Sequence, residues 1–197
     1  MTEPIDVRER RALCDLLEEL GPDAPTLCAG WTTFDLAAHL VLREHFHRWS
    51  DAQRAAEKAK GFPALVARLR SGAPLIPWRL PRLRNVLNGA EYFIHHEDVR
   101  RANGLEPRSP VEDLEALSWR MTGYNARRLA RQIRPYSIQL VRPDGATRTF
   151  GSGTPATLTG PASELLLYLD GRRATARATL GGPPAAMAAV DAADLSV

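Results

Sequence analysis

The stretch GAEYFIHHEDVRR, residues 89–101, decides how this chain is read. Ala90, Phe93 and Ile94 recur at the three-four spacing of one apolar helix side. Glu91 and His95 lie four residues apart on the same helix, in a row that runs Leu87, Glu91, His95, Val99 and so begins and ends apolar. A helix turns about 100° per residue, so positions four apart point within about 40° of each other. Burying a carboxylate is costly unless a partner neutralises it. The row therefore asks for a cation beside Glu91. A carboxylate oxygen and an imidazole nitrogen aimed at one point suit a divalent ion such as zinc, nickel or iron(II). An arginine is the alternative partner.

Two protein ligands do not make a site, and the third must come from another element. The other histidines are His39, His45, His47 and His96. His39 stands in a row Leu36, His39, Leu42, Phe46 that is otherwise apolar, so two helices facing one core bring it to the Glu91/His95 pair. His96 points about 100° away from His95. His45 and His47 sit beside Arg43, Glu44 and Arg48 and read as surface or rim. Asp98, three residues past His95, either orients that imidazole or forms a salt bridge with Arg101 or Arg43. Asp98 and His96 are the candidates for proton transfer. Arg100 and Arg101 are candidates for holding an anionic ligand, against a reading as exposed surface. Trp31 reads as a packing anchor, and Cys28 as a residue near the start of the second helix that is available as a further ligand.

Around this stretch the periodicity predicts a mainly α frame. Helices are expected at about 4–20, from Thr32 to as far as 57, at 82–102 and at 109–132, with a short helix at 63–71. Thr32 with Asp35 reads as a capping box, and Ser109-Pro110-Val111-Glu112 as a helix start. The stretch SGAPLIPWRLP, with three prolines, reads as a crossing loop. From about 135 the pattern changes. Strands are expected at 136–141, 147–150, 157–158 and 173–180, with a helix at 161–169. The resulting division is a helical bundle over 1–133, a small α+β unit over 134–182 and an Ala-rich tail over 183–197, either loosely helical or disordered.

Composition narrows the function classes. The chain has 197 residues, 44% of them hydrophobic, and a net charge of +3, enough for a real core. It has no apolar run of about 18 residues, so no membrane span is expected. Two cysteines, Cys14 and Cys28, do not form a disulfide framework, and the N-terminus MTEPIDVRERR lacks an apolar signal core. Both point to a cytoplasmic protein. Arginines gather at 79–84, 100–101 and 127–131 without a nucleic-acid reading motif, so no nucleic-acid partner is expected.

The segments LCAGWTTFDLAAHL (27–40) and EYFIHHED (91–98), together with the late TGPASELLLYLDGRR (159–173), resemble the mycothiol-dependent maleylpyruvate isomerase-like metal-binding family of the DinB-like superfamily, in an uncharacterised actinobacterial branch. The resemblance reaches to about residue 182. It implies a four-helix bundle and a divalent metal, commonly zinc, on His39, Glu91 and His95, with water completing the coordination. It implies that the open position takes a low-molecular-weight thiol, mycothiol in an actinobacterium, for attack on an electrophilic small molecule. A thiol transferase or isomerase-like enzyme is therefore expected, working as a monomer or homodimer. A metal-activated hydrolase and a non-catalytic metal- or ligand-binding protein are the alternatives. Characterised relatives of this kind are expected to carry a fuller C-terminal domain, which puts maleylpyruvate itself in doubt as the substrate.

Overall fold

Pro4 has no amide hydrogen to leave unpaired, and it stands immediately ahead of α1 (Ile5–Leu20). The computed structural model describes residues 3–44, 50–72, 81–109 and 111–195, with the backbone alone for 81–85. Leu13, Cys14, Leu16 and Leu17 bury one side of α1, and Gly21, at φ 78°, ends it in a conformation that side chains resist. Before α2 (Thr33–Glu44), the Thr32 hydroxyl accepts from the Phe34 amide at 3.2 Å while the Asp35 carboxylate accepts from the Thr32 amide at 3.1 Å. The expected reciprocal cap is present, with the hydroxyl serving the second amide of the helix rather than the third. Lys58 also reaches Asp35, at 2.7 Å.

The predicted run of the second helix to 57 divides. A separate helix, α3 (Asp51–Lys58), opens with its own capping box of Ser50 and Gln53. Residues 45–49, with His45, Phe46, His47 and Trp49, lie outside the described residues, as do 73–80 of the crossing loop and Pro110. Next come α4 (Phe62–Ser71) and α5 (Pro81–Ala102). Asn103 and Gly104 stop α5, where the Leu105 amide bonds the Arg100 carbonyl at 2.9 Å, six residues spanned in the manner of a Schellman motif.

These helices make one compact unit, Met1–Arg108, around a core that includes Leu13, Leu17, Leu36, Leu40, Leu65, Leu69, Tyr92 and Val99. Every residue from 92 to 99 is buried, so this part of α5 is enclosed on all sides. Its charges are paired accordingly. Glu97 meets Arg101 at 2.9 Å and Arg108 at 2.8 Å, and Arg108 also holds Glu9 at 2.7 Å. The Tyr92 hydroxyl donates to Glu44, which Arg10 faces at 3.7 Å.

The second unit, Ser109–Val197, has its own core. It begins with α6 (Glu112–Gln132), which starts behind Val111 with no side-chain cap, in place of the Ser109 cap that the sequence predicts. Glu112, Asp113 and Glu115 put negative charge on its first turn instead. The sheet follows as β1 (Ser137–Val141), β2 (Thr147–Gly151) and β3 (Pro155–Thr159), then α7 (Ala162–Leu169), β4 (Thr179–Gly181) and α8 (Pro184–Ala192). The strand order is β2-β1-β3-β4, with β1 antiparallel to β2, parallel to β3, and β3 antiparallel to β4. Register pairs Ile138 with Ala156 and Leu140 with Leu158. All four are buried in one core with Leu129 and Ile133 of α6, Leu165 and Leu169 of α7, and Val190 of α8.

That packing groups α6 with the sheet, so the chain divides at 108/109 where the sequence suggests 133/134. Two further expectations change. The strand predicted over 173–180 shrinks to Thr179–Gly181, because Arg173 instead donates to the Asp191 and Ala193 carbonyls and the Arg177 amide to Glu164. The Ala-rich tail is a helix over Pro184–Ala192, seated by Ala186 and Val190. The fold class is the predicted one, mainly α, with a helical bundle followed by a small α+β unit.

Candidate functional site

His39 reaches the interior from α2 because Leu36, Leu40 and Leu42 bury that helix around it. Glu91 and His95 come from α5, one turn apart. The three meet: Glu91 Oε1 lies 3.6 Å from His39 Nε2 and 3.4 Å from His95 Nε2. Both imidazoles are buried, and Glu91 is half-buried.

The donor set fits a small divalent ion. Ligands bound at about 2.0–2.1 Å in a tetrahedron stand roughly 3.4 Å apart, close to the two spacings measured from Glu91. One oxygen and two imidazole nitrogens match the borderline-soft character of zinc and its neighbours.

Asp98 is fully buried and sits 2.9 Å from His95 Nδ1. It thereby receives the Nδ1 proton and aims Nε2 at Glu91. The expected pairing of Asp98 with His95 is present. Cys28 Sγ lies 3.4 Å from Asp98 Oδ2 and 3.8 Å from His95 Nδ1. Cys28, His95 and Asp98 thus form a second convergent trio, on the opposite ring nitrogen of the shared histidine from the first. Trp31 packs on the His39 ring, with centroids 5.0 Å apart, and holds it in place.

Arg43 is the residue that sequence reasoning missed. Its Nε lies 3.1 Å from Glu91 Oε1, and its Nη1 donates to Asn88 Oδ1 at 2.7 Å. The signal was available: Arg43 follows His39 by four residues, so both must point the same way from α2. Burial pushes the Glu91 carboxyl up, but His39, His95 and the Arg43 charge outweigh it and hold it well below the usual range. Burial lowers His39 despite Glu91. Burial also acts to lower His95, yet Asp98, Cys28 and Glu91 together carry it well above the ordinary value.

The remaining candidates stand elsewhere. His96 is buried with no partner for its Nδ1, and burial, with Arg108 and Arg100 nearby, drives its pKa down to about 3. Arg100 donates to the Glu106 carbonyl and Arg101 to Glu97, so neither joins the group around Glu91. No described helix is long and apolar enough to cross a membrane.

Fold and site together define a helical-bundle protein with a carboxylate and two imidazoles converging between two helices. A family model for the mycothiol maleylpyruvate isomerase N-terminal domain matches residues 7–123, and the chain belongs to that family. Among solved structures, a histidine-to-alanine mutant of mycothiol-dependent maleylpyruvate isomerase is similar in fold, with a TM-score of 0.54 at 15% identity, over 91% of this chain and 93% of that one. The match spans nearly all of that relative, where the sequence leads one to expect a fuller C-terminal domain than this chain has. Comparison with curated proteins gives no match.

Proposed function

We propose that the chain is a metal-dependent enzyme that uses a low-molecular-weight thiol, mycothiol in the first instance, for an isomerase-like or transferase reaction on an electrophilic small molecule. The observation that carries this reading is the convergence of His39 Nε2, Glu91 Oε1 and His95 Nε2. Family membership supports the thiol, since the relatives are named for mycothiol.

His39, Glu91 and His95 would hold the metal. A bound zinc supplies a Lewis acid that favours the thiolate form of a thiol at neutral pH. The chain does the rest by positioning. Asp98 keeps the Nδ1 proton of His95, so that Nε2 is the donor atom. Trp31 restrains the His39 ring. Arg43, anchored on Asn88, keeps a fixed positive charge beside the donor set, where it favours an anionic reactant.

Arg43 also favors a second reading. It already neutralises Glu91 at 3.1 Å, as an arginine partner would in a pocket that binds a ligand without metal.

The test is metal content by mass spectrometry on untagged protein, with His39→Ala and Glu91→Ala alongside. About one zinc, nickel or iron per chain, lost in both variants, supports the site. Mycothiol and an electrophile are then offered to the loaded protein; turnover without any thiol would make it a hydrolase instead. A folded wild type that takes up no zinc when it is supplied sinks the metal reading and leaves Arg43 as the partner of Glu91.

A further inference from the structure

Residues 120, 123 and 127 follow one another along a single side of α6, three and then four positions apart. On β2, Arg148 and Phe150 share one strand face. Between these rows lies a cavity of 440 Å³ lined by Arg120, Gly123, Arg127, Arg148, Thr149 and Phe150. Gly123 lines it without a side chain. A Cβ at that position would stand 3.2 Å from Arg127 Nη1 and 4.0 Å from Phe150 Cζ.

Three guanidinium groups line this cavity and no carboxylate does. Arg120 and Arg127 are exposed and Arg148 is half-buried, and among the described residues none of the three is ion-paired. Like charges gathered this way repel one another, and a merely solvated face intersperses both signs. Two of the three are also held in position. Arg127 Nη1 donates to the Gly123 carbonyl at 2.9 Å, and its guanidinium lies 5.3 Å from the centre of the Phe150 ring. Arg148 Nη1 donates to the Trp119 carbonyl at 2.6 Å and stacks 4.4 Å from the Trp119 ring. Each keeps further N–H donors unused. Planar, pre-positioned forks of donors are the arrangement that grips carboxylate or phosphate in pairs of hydrogen bonds at low ordering cost.

We infer that this cavity binds a small organic dianion, a dicarboxylate or a phosphate monoester, with Arg127 and Arg148 as its two forks and Arg120 closing the rim. The site uses none of the residues around Glu91, so its fate is independent of the metal reading.

The test is calorimetric titration of the full chain, at low ionic strength, with succinate, phenyl phosphate and inorganic phosphate. Saturable one-to-one binding is expected for at least one organic dianion, with a dissociation constant below about 1 mM. Whether the carboxylate or the phosphate probe binds tighter identifies the ligand. Arg120→Gln and Arg127→Gln should each weaken binding about ten-fold. Arg120 is exposed and bonded to nothing else described, so its variant leaves the fold intact and serves even where Arg127→Gln does not fold. Gly123→Ala should weaken binding by displacing the Arg127 guanidinium that its methyl would crowd. No saturable binding of any probe up to about 10 mM would overturn the inference. So would binding that Arg120→Gln leaves unchanged, or binding that His39→Ala abolishes.

Discussion

In the proposed reading Asp98 acts through His95, the ring it is set against. Its carboxylate is fully buried and 2.9 Å from Nδ1. Replacing such an outer partner of a metal-binding histidine typically lowers affinity 10–100-fold while leaving the ligands in place. Asp98→Asn is expected to bind one zinc with about that loss, measured by competition with a chelating dye. A loss of stoichiometry instead would make Asp98 a ligand. Cys14 allows a prediction about pH. Burial, only partly offset by Arg70 and Arg10, pushes its thiol from 9.0 up to about 12. Below pH 9 the folded and unfolded thiols both keep their protons. Between about 9 and 12 the unfolded thiol ionises and the folded one does not, so the stability due to this group falls as pH rises. The slope is at most about 1.4 kcal/mol per pH unit. Urea unfolding at several alkaline pH values should show a flatter limb in Cys14→Ala than in the wild type, and an equal slope would refute the assignment.

At the scale of elements, α7 begins without a cap of its own, since Pro161 has no side-chain acceptor to offer. Glu115 of α6 supplies it across the chain: its carboxylate accepts from the Ala162 amide at 2.6 Å and the Ser163 amide at 3.1 Å. A negative group on the first amides of a helix also meets the positive end of its dipole. Glu115→Ala is therefore expected to cost about 1–2 kcal/mol, the range for losing an N-cap, read from the urea midpoint. A change within a few tenths would show that the bridge contributes nothing. The division of the expected second helix has a similar local cause. Ser50 and Gln53 cap α3 on their own, a start signal within a stretch whose periodicity reads as continuous.

At the scale of the molecule, two units carry two cores with no residue in common. Every residue gathered around Glu91 belongs to the first. A ligand bound to the folded state alone stabilises it by about 2.7 kcal/mol at a free concentration of 100 times its dissociation constant. Zinc at that excess should raise the melting temperature of the wild type by several degrees and leave that of His39→Ala unmoved. A shift of equal size in both would place the zinc elsewhere.

Residue spacing alone set the main lines. The 3.6-residue period and the glycine stops at Gly21 and Gly104 located α1, α5, α6 and the start of α2, whose predicted run is too long, and the alternation at 136–141 located the first strand. The i, i+4 relation placed Glu91 with His95 whatever packs around them, and the apolar row around His39 singled that residue out on the second helix. Only the tertiary structure put Arg43 against Glu91, set Asp98 on His95, and left Arg100, Arg101 and His96 outside the group. It also assigned α6 to the second unit and cut the last strand to three residues. Those choices depend on which faces of separate elements meet, on cross-chain caps such as Glu115, and on buried charges finding partners distant in sequence. A local pattern carries no record of any of these.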